Sequence, residues 1–261
     1  MVTPPVRSVV ALVREVSPRL ADCVLTHLGR VDIDVDRAVA QHRVYCDVLE
    51  ALGARVEALA PLPDAPDGVF VEDTCVVVDE VAVITRPGAA SRVGETATAA
   101  TALAAYRPLR QLSDEATLEG GDVMRVGRTL YVGRSARTNQ AGVDQLAELL
   151  APWGYQVRGV DLAGCLHLKT ACTFVPPHFV VVNPAWVDAF IFRGTTSVEV
   201  ADDEPSAGNT LTLGGVTLVP SQCPRTAARL RAHGVVTREV DLSELAKAEG
   251  ALTCSSVIVE V

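Results

Sequence analysis

The sequence predicts an α/β fold in which a hairpin–helix–strand unit recurs around a central axis. Three observations carry this. Five polar marks, Glu72, Glu119, His167, Asn209 and Cys254, follow one another at intervals of 47, 48, 42 and 45 residues, and a period of this size marks a repeated supersecondary unit. Between the marks, short valine-rich runs come in pairs, each pair followed by a helical pattern and a further β-like run. No linker or low-complexity stretch divides the chain, so residues 1–261 read as a single domain. If the units ring an axis, the five marks face one another at its centre. A four-stranded sandwich with added helices is the alternative.

The elements can be taken in chain order. Residues 9–13 are a strand. Residues 36–52 are a helix, with Val39, Ala40, Val44, Val48 and Leu52 as its apolar face, and residues 55–59 are the strand after it. Strands follow at 69–71, 76–78 and 81–85. The unit from 119 to 160 is the clearest: Gly120-Gly121, strands at 123–126 and 130–132 around Gly127, a helix over 138–150 opening at Asn139, and a strand at 156–160 after Gly154. Residues 170–187 lack any formal charge but contain Pro176, Pro177 and Pro184. Two buried strands broken at a Pro-Pro turn fit this better than a spanning helix. A helix is expected near 184–190. The next unit has strands at 211–213 and 216–219 joined at Gly214-Gly215, a helix over 226–233 stopped by Gly234, and a strand at 235–240. Residues 257–259 close the series.

Composition narrows the function. The formal charge is −9, which disfavours a nucleic-acid partner and suits a cationic small molecule. Seven scattered cysteines, an odd number with no CxxC pair, describe neither a disulfide framework nor a zinc ribbon. The thiols are expected reduced and the protein cytoplasmic. Residues 1–5 carry no basic segment leading into an apolar one, so no export signal is read there, and no membrane partner is expected. Phosphate-loop, dinucleotide, HExxH and GxSxG patterns are all absent.

The marks themselves suggest chemistry. A thiolate is a strong nucleophile, a histidine beside it can carry a proton, and a carboxylate can fix that histidine's tautomer. Cys254, His167 and Glu119 supply the three parts. Taken singly, each has a plainer reading, as a small core residue, a satisfied core histidine and a turn. Their shared spacing favours a joint role. Asp67, Glu72 and Asp73 form either a solvated turn or a seat for a cation, for which a guanidinium is well matched. Arg92 and Arg137 are either surface charges or a clamp for a carboxylate. A ligand with a guanidinium at one end and a carboxylate at the other is an arginine.

Six stretches, in order, carry a family resemblance: Val69-Phe70-Val71-Glu72-Asp73, Ile84-Thr85-Arg86-Pro87-Gly88-Ala89, Thr117-Leu118-Glu119-Gly120-Gly121-Asp122-Val123, Arg137-Thr138-Asn139-Gln140, Leu166-His167-Leu168-Lys169 and Leu252-Thr253-Cys254. Through them the chain, nearly end to end, resembles the dimethylarginine dimethylaminohydrolases of the guanidine-modifying superfamily. The resemblance implies a five-bladed α/β propeller. It implies hydrolysis of asymmetric dimethylarginine and monomethylarginine to citrulline and dimethylamine or methylamine, through a covalent cysteine thiouronium, with no metal or organic cofactor. Residue by residue it implies Cys254 as nucleophile, His167 as general acid and base, and Glu119 as its hydrogen-bonding acid. Glu72 and Asp73 match the guanidinium acceptors, and Arg92 and Arg137 match the carboxylate clamp. Asp67, with the backbone of Leu25 on a mobile N-terminal loop, matches the α-amino contact, and a backbone contact near Ala248 is implied too. Some mammalian members carry a second cysteine where Ser255 stands, and residues 17–31 match poorly. The expected partner is the methylated arginine, with a homodimer as a candidate assembly. The alternatives are an arginine deiminase, which is usually longer, a hydrolase of another guanidine, or a ribosome-binding propeller without catalysis. The acidic charge and the register of Cys254 with His167 speak against the last.

Overall fold

The computed structural model describes residues 8–113 and 115–261; residues 1–5, read above as carrying no export signal, lie outside them. The chain forms five three-stranded sheets. The first joins β1 (Val9–Val13) to β2 (Ala54–Ala58). The second holds β3 (Cys75–Val77), β4 (Ala82–Ile84) and β5 (Leu109–Gln111). The third holds β6 (Val123–Val126), β7 (Thr129–Arg134) and β8 (Gln156–Asp161). The fourth holds β9 (Cys172–Val175), β10 (Phe179–Val182) and β11 (Thr196–Glu199). The fifth holds β12 (Leu211–Leu213), β13 (Val216–Pro220) and β14 (Thr237–Val240). The last strand, β15 (Val257–Glu260), returns to pair antiparallel with β1, so the two chain ends complete one sheet.

Every sheet follows one rule. Its middle strand runs antiparallel to one neighbour and parallel to the other. A parallel step cannot be made with a tight turn and requires a crossover. Helices α1 (Val35–Ala51), α2 (Thr96–Leu103) and α3 (Gln140–Leu150) supply it in the first three sheets. Two short helices stand apart from the crossovers, α4 (Leu168–Ala171) before β9 and α6 (Ser243–Ala246) after β14, while α5 (Pro224–Ala232) crosses the fifth sheet. Leading strands of neighbouring sheets pack together, β15 on β3, β6 on β9 and β9 on β12. This is the five-bladed α/β propeller the repeat predicted. Each of the five marks stands two to five residues ahead of a leading strand, so all five chain segments enter from the same end of the axis.

Local chemistry sets the boundaries. Asp34 caps α1 by accepting from the Arg37 amide, and Asn139 caps α3 by accepting from the Gly142 amide at 2.8 Å. Pro224 opens α5, and Gly234, at φ 81°, follows its end. The core lies between blades: Leu118, Leu130, Leu146 and Leu150 form part of one cluster shared by the second and third sheets and α3. Each such side chain contributes roughly 1.5–3 kcal/mol on burial.

Three expectations are corrected. Residues 69–71 are not a strand; the segment tightens into a 3-10 turn over Val71–Thr74. The Thr74 hydroxyl closes that turn on the Val71 carbonyl, and Arg92 takes the Phe70 carbonyl a strand partner would need. The buried face of α1 is only partly the expected one: Val48 is buried and Leu52 packs against the core, but Val39 and Val44 are exposed at 42% and 54%. Gln41, His42, Tyr45 and Leu49 face inward. Gln41 bonds Ser243 and the Glu244 amide, and Tyr45 donates to the Leu252 carbonyl, so their polar atoms are satisfied. Near 184–190 there is no α-helix. Asn183 accepts from the Ala185 amide and donates to the Pro205 carbonyl, and a 3-10 turn over Ala189–Ile191 follows. Local side-chain bonds of this kind compete with a helix. Among the described residues no helix is long and apolar enough to cross a membrane.

Gly120, beside the axis, tests the centre's tolerance. A Cβ there would lie 2.0 Å from the Glu72 carbonyl oxygen and 2.7 Å from that of Cys75, both backbone. Gly120→Ala is expected to lower unfolding free energy by roughly 1–3 kcal/mol or more. Gly29→Ala, with open space around it, serves as the control. Thermal denaturation of both variants decides the matter, and an unshifted Gly120→Ala would mean that the centre is loosely packed.

Candidate active site

The loops preceding the leading strands converge on a small buried cavity of about 20 Å³. It is bordered by Asp67, Asp73, Arg92, Glu119, Arg137, His167, Ala248 and Cys254, together with Val24, Phe70, Leu166 and Glu249. Eight of the ten sequence-predicted site residues therefore meet in one place. Glu72 and Leu25 do not border it. Glu72 lines a separate cavity of about 280 Å³. Leu25 packs against the apolar core under α1, and its neighbour Val24 donates its amide to Asp67 at 3.2 and 3.3 Å.

His167 and Glu119 are bonded directly, Nε2 to Oε2 at 2.7 Å, with both residues buried. The other face of the imidazole rests on Gly121, where a Cβ would come within 2.7 Å of Nδ1; glycine is required for that approach. The Gly121 amide donates to Asp73 at 3.0 Å. Glu119 is held in turn by the Ala89 amide at 3.2 Å, and its own amide donates to Thr138. Asp122 accepts from Ser135, Thr138 and the Leu168 amide, fixing the loop of Arg137 to the chain beside His167.

The charges are tightly paired. Arg92 Nη1 lies 2.5 Å from Asp73, Nε lies 3.1 Å from Glu95, and Nη2 bonds Glu95 and the Asp67 and Phe70 carbonyls. Its guanidinium thus braces the cavity wall from behind. Arg137 reaches Glu119 at 3.4 Å and the Thr26 hydroxyl at 2.9 Å. Glu72 is paired with Lys169 and accepts from Thr253 at 2.7 Å. Asn209, the fifth mark, brackets Thr253 with its amide group, accepting at 3.1 Å and donating at 3.0 Å. It therefore aligns the residue next to Cys254. The Tyr45 hydroxyl does the same from the other side, touching the Leu252 carbonyl and Ser256.

These surroundings set the protonation states. Burial works against a charged His167, but Asp73, Asp122 and Glu119 outweigh it and raise its pKa to about 9. Burial likewise opposes ionisation of Asp73, yet His167 and Arg92 hold its carboxyl below the ordinary range. Burial pushes the Cys254 thiol far up, and Glu72 and Asp73 push it further. The resting centre is an imidazolium near a neutral thiol. Burial also raises Asp67 and Glu72, against the pull of Arg92 and Lys169 respectively.

Asp73, Glu119 and His167 each bring one ligand atom within 4.8 Å of the others, a spacing that could hold a metal ion. Arg92 on Asp73 and Arg137 on Glu119 already supply positive charge there, which works against a further cation. Sequence reasoning gave no role to Lys169, Thr253, Asp122, Glu95 or Glu249. The first three sit inside motifs that were noticed. Glu95 lies only three residues from its partner Arg92, an i,i+3 spacing that could have signalled the pair, whereas nothing in the sequence singles out Glu249, whose partners are distant in the chain.

A sequence model of the arginine deiminase family matches residues 60–207. The chain is 40% identical, over 95% of both chains, to an N(G),N(G)-dimethylarginine dimethylaminohydrolase of Streptomyces coelicolor. Among solved structures it is similar to the dimethylarginine dimethylaminohydrolase of Pseudomonas aeruginosa, a cysteine-to-serine variant complexed with citrulline, with TM-score 0.89 and 30% identity over 95% of this chain and 98% of that one. A histidine-to-glycine dimethylarginine dimethylaminohydrolase in adduct with S-methyl-L-thiocitrulline matches at TM-score 0.90 and 31% identity, over 95% and 98%.

The raised pKa of His167 predicts a pH signature. A group whose folded pKa lies above its ordinary 6.5 stabilises the fold fully below that pH, and the contribution is lost as pH rises through about 9. NMR titration of the His167 ring should show a midpoint near 9. The matching loss of stability should vanish in His167→Gln; a ring titrating near 6.5 would contradict the electrostatic account.

Proposed function

This chain belongs to the arginine deiminase family, among its dimethylarginine dimethylaminohydrolases, and from that membership we propose that it hydrolyses N-omega-methylated arginines to citrulline and methylamine or dimethylamine, with Cys254 as nucleophile. The observation that carries this reading is the meeting, in one buried cavity, of Cys254, Asp73 and the His167–Glu119 pair. The citrulline bound to the Pseudomonas aeruginosa relative supports the same product here.

The steps follow from the charges. A guanidinium carbon is a weak electrophile because its charge is delocalised, so orientation matters most. Asp73 receives the guanidinium, with Glu72 as the second negative charge beside Cys254. Burial, reinforced by those two carboxylates, keeps Cys254 protonated at rest; a docked cation offsets the carboxylates and releases the thiol proton to solvent. The thiolate attacks the guanidinium carbon and forms the C–S bond. His167, already protonated at neutral pH, donates its proton to the leaving nitrogen as the C–N bond breaks, leaving a thiouronium. Neutral His167 then takes a proton from water, the hydroxide adds to the same carbon, and the C–S bond breaks as the new hydroxyl proton passes to the departing sulfur, giving citrulline and restoring the neutral thiol and the imidazolium. Glu119 orients the imidazole throughout. At the amino-acid end, Asp67 meets the α-ammonium, with backbone contacts near Leu25 and Ala248. Arg137, with Arg92 behind it, meets the carboxylate. The reaction as written uses protein side chains and water alone.

Two measurements test this reading. Colorimetric citrulline release should be faster from methylated arginines than from arginine, and Cys254→Ser should abolish it while leaving the fold and ligand binding intact; a variant that still turns over removes Cys254 from the nucleophile's role. Arg137→Ala should raise KM for methylarginines about tenfold or more, the scale of one lost charge-assisted contact, with a smaller change in kcat. Agmatine, which lacks the carboxylate, should be a poor substrate of the wild type, and a preference for it would rule out the clamp.

A further inference from the structure

Glu249 has no part in the chemistry above, yet its environment is the most specific in the outer wall of the cavity. Among the described residues it is the one non-glycine with positive φ, at 59°, a backbone region unfavourable to any residue with a Cβ. It lies just past α6, where the Glu249 amide bonds the Ala246 carbonyl and the Gly250 amide bonds that of Leu245. A helix stop of this kind normally takes glycine. Glutamate stands there instead, and its carboxylate crosses to a distant segment of the chain. It accepts from three successive backbone amides, Thr26 at 2.9 Å, His27 at 2.5 Å and Leu28 at 2.7 Å.

Residues 24–28 form neither helix nor strand. Asp67 takes the Val24 amide, Arg137 donates to the Thr26 hydroxyl, and Glu249 takes the amides of Thr26, His27 and Leu28. The segment is thereby drawn across the catalytic cavity, which Val24 and Glu249 both border. What remains is about 20 Å³, room for about one water molecule. A ligand the size of arginine cannot be admitted while these bonds hold. Glu249 and Leu166 also border a neighbouring, more apolar cavity of about 400 Å³ that His27 and Leu28 help to line. The carboxylate therefore stands at the partition between the two spaces, where release of the segment would join them.

We infer that Glu249 is a positioning residue that latches residues 24–28 as a lid over the catalytic cavity and, through Thr26, sets the position of Arg137. The inference rests on reading that cavity as the substrate site. The chemistry of the latch is specific. A carboxylate offers acceptors only, so three converging N–H groups suit it; an amide in its place turns one acceptor into a donor facing those groups. The plainer account is that Glu249 merely ends α6. Glu249→Gly separates the two, because it keeps the helix stop, removes the backbone penalty and deletes the carboxylate.

The decisive experiment is hydrogen exchange on the wild type, Glu249→Gly and Glu249→Gln, with thermal stability and steady-state kinetics measured alongside. A latch predicts that Glu249→Gly keeps or gains thermal stability while the Thr26, His27 and Leu28 amides exchange about tenfold faster or more, the scale of one lost charge-assisted bond. Glu249→Gln should behave likewise at these amides, and KM for methylarginine should rise more than kcat falls in both variants. Unchanged exchange at residues 26–28, or acceleration shared equally by the core strands, overturns the latch. The exchange arm does not depend on turnover. If the wild type fails to release citrulline, the proposed function fails while the latch is still judged on exchange.

Discussion

The carboxylate of Asp73 is the fixed point of the cavity. It is buried, gripped by Arg92 on one oxygen and by the Gly121 amide on the other. Gly121 carries the imidazole of His167 against its own backbone, and the preceding Glu119 bonds that imidazole. One buried anion thus connects the second blade's turn, the third blade's turn and the histidine of the fourth. An uncompensated carboxylate at this depth would be costly, and a buried pair is sound only when its remaining polar atoms are also satisfied. Arg92 meets that condition through Glu95 and two carbonyls. The cluster is a connected polar network, in which each bond limits the freedom of the next.

The propeller makes the network affordable by topology. Because each blade begins at the axis, loops from different blades arrive at one end of it, and residues as far apart in the chain as Asp73 and Cys254 border a common cavity. Some of these loops carry chemistry and others carry alignment. Asn209 and Tyr45 do not border the cavity; they hold Thr253, Leu252 and Ser256 on either side of Cys254. The sulfur's position is set by second-rank bonds of this kind, much as a metal ligand is set by its own partners.

Electrostatics give the centre a resting state opposite to that of a preformed thiolate–imidazolium pair. Carboxylates that raise the histidine also raise the thiol. In the proposed reaction the thiol therefore ionises only once a cationic ligand offsets these carboxylates.

Much of this was legible in the chain. The spacing of Glu72, Glu119, His167, Asn209 and Cys254 pointed to a repeated unit around an axis, and three of the five, Glu119, His167 and Cys254, do border one cavity. Val143, Leu146 and Leu150 identified the buried face of α3 correctly, since an apolar periodicity reports burial when nothing polar competes. On α1 it held for Val48 but missed the rest: Gln41 and Tyr45 are buried because their partners, Ser243, Glu244 and Leu252, come from about two hundred residues away. The same reason hid Glu249 beneath residues 26–28. By itself the sequence determined which chemical groups recur and how many blades present them. The tertiary structure alone decided which charges neutralise one another and which amides a carboxylate meets, because pairing energies depend on distances that only the closed ring creates.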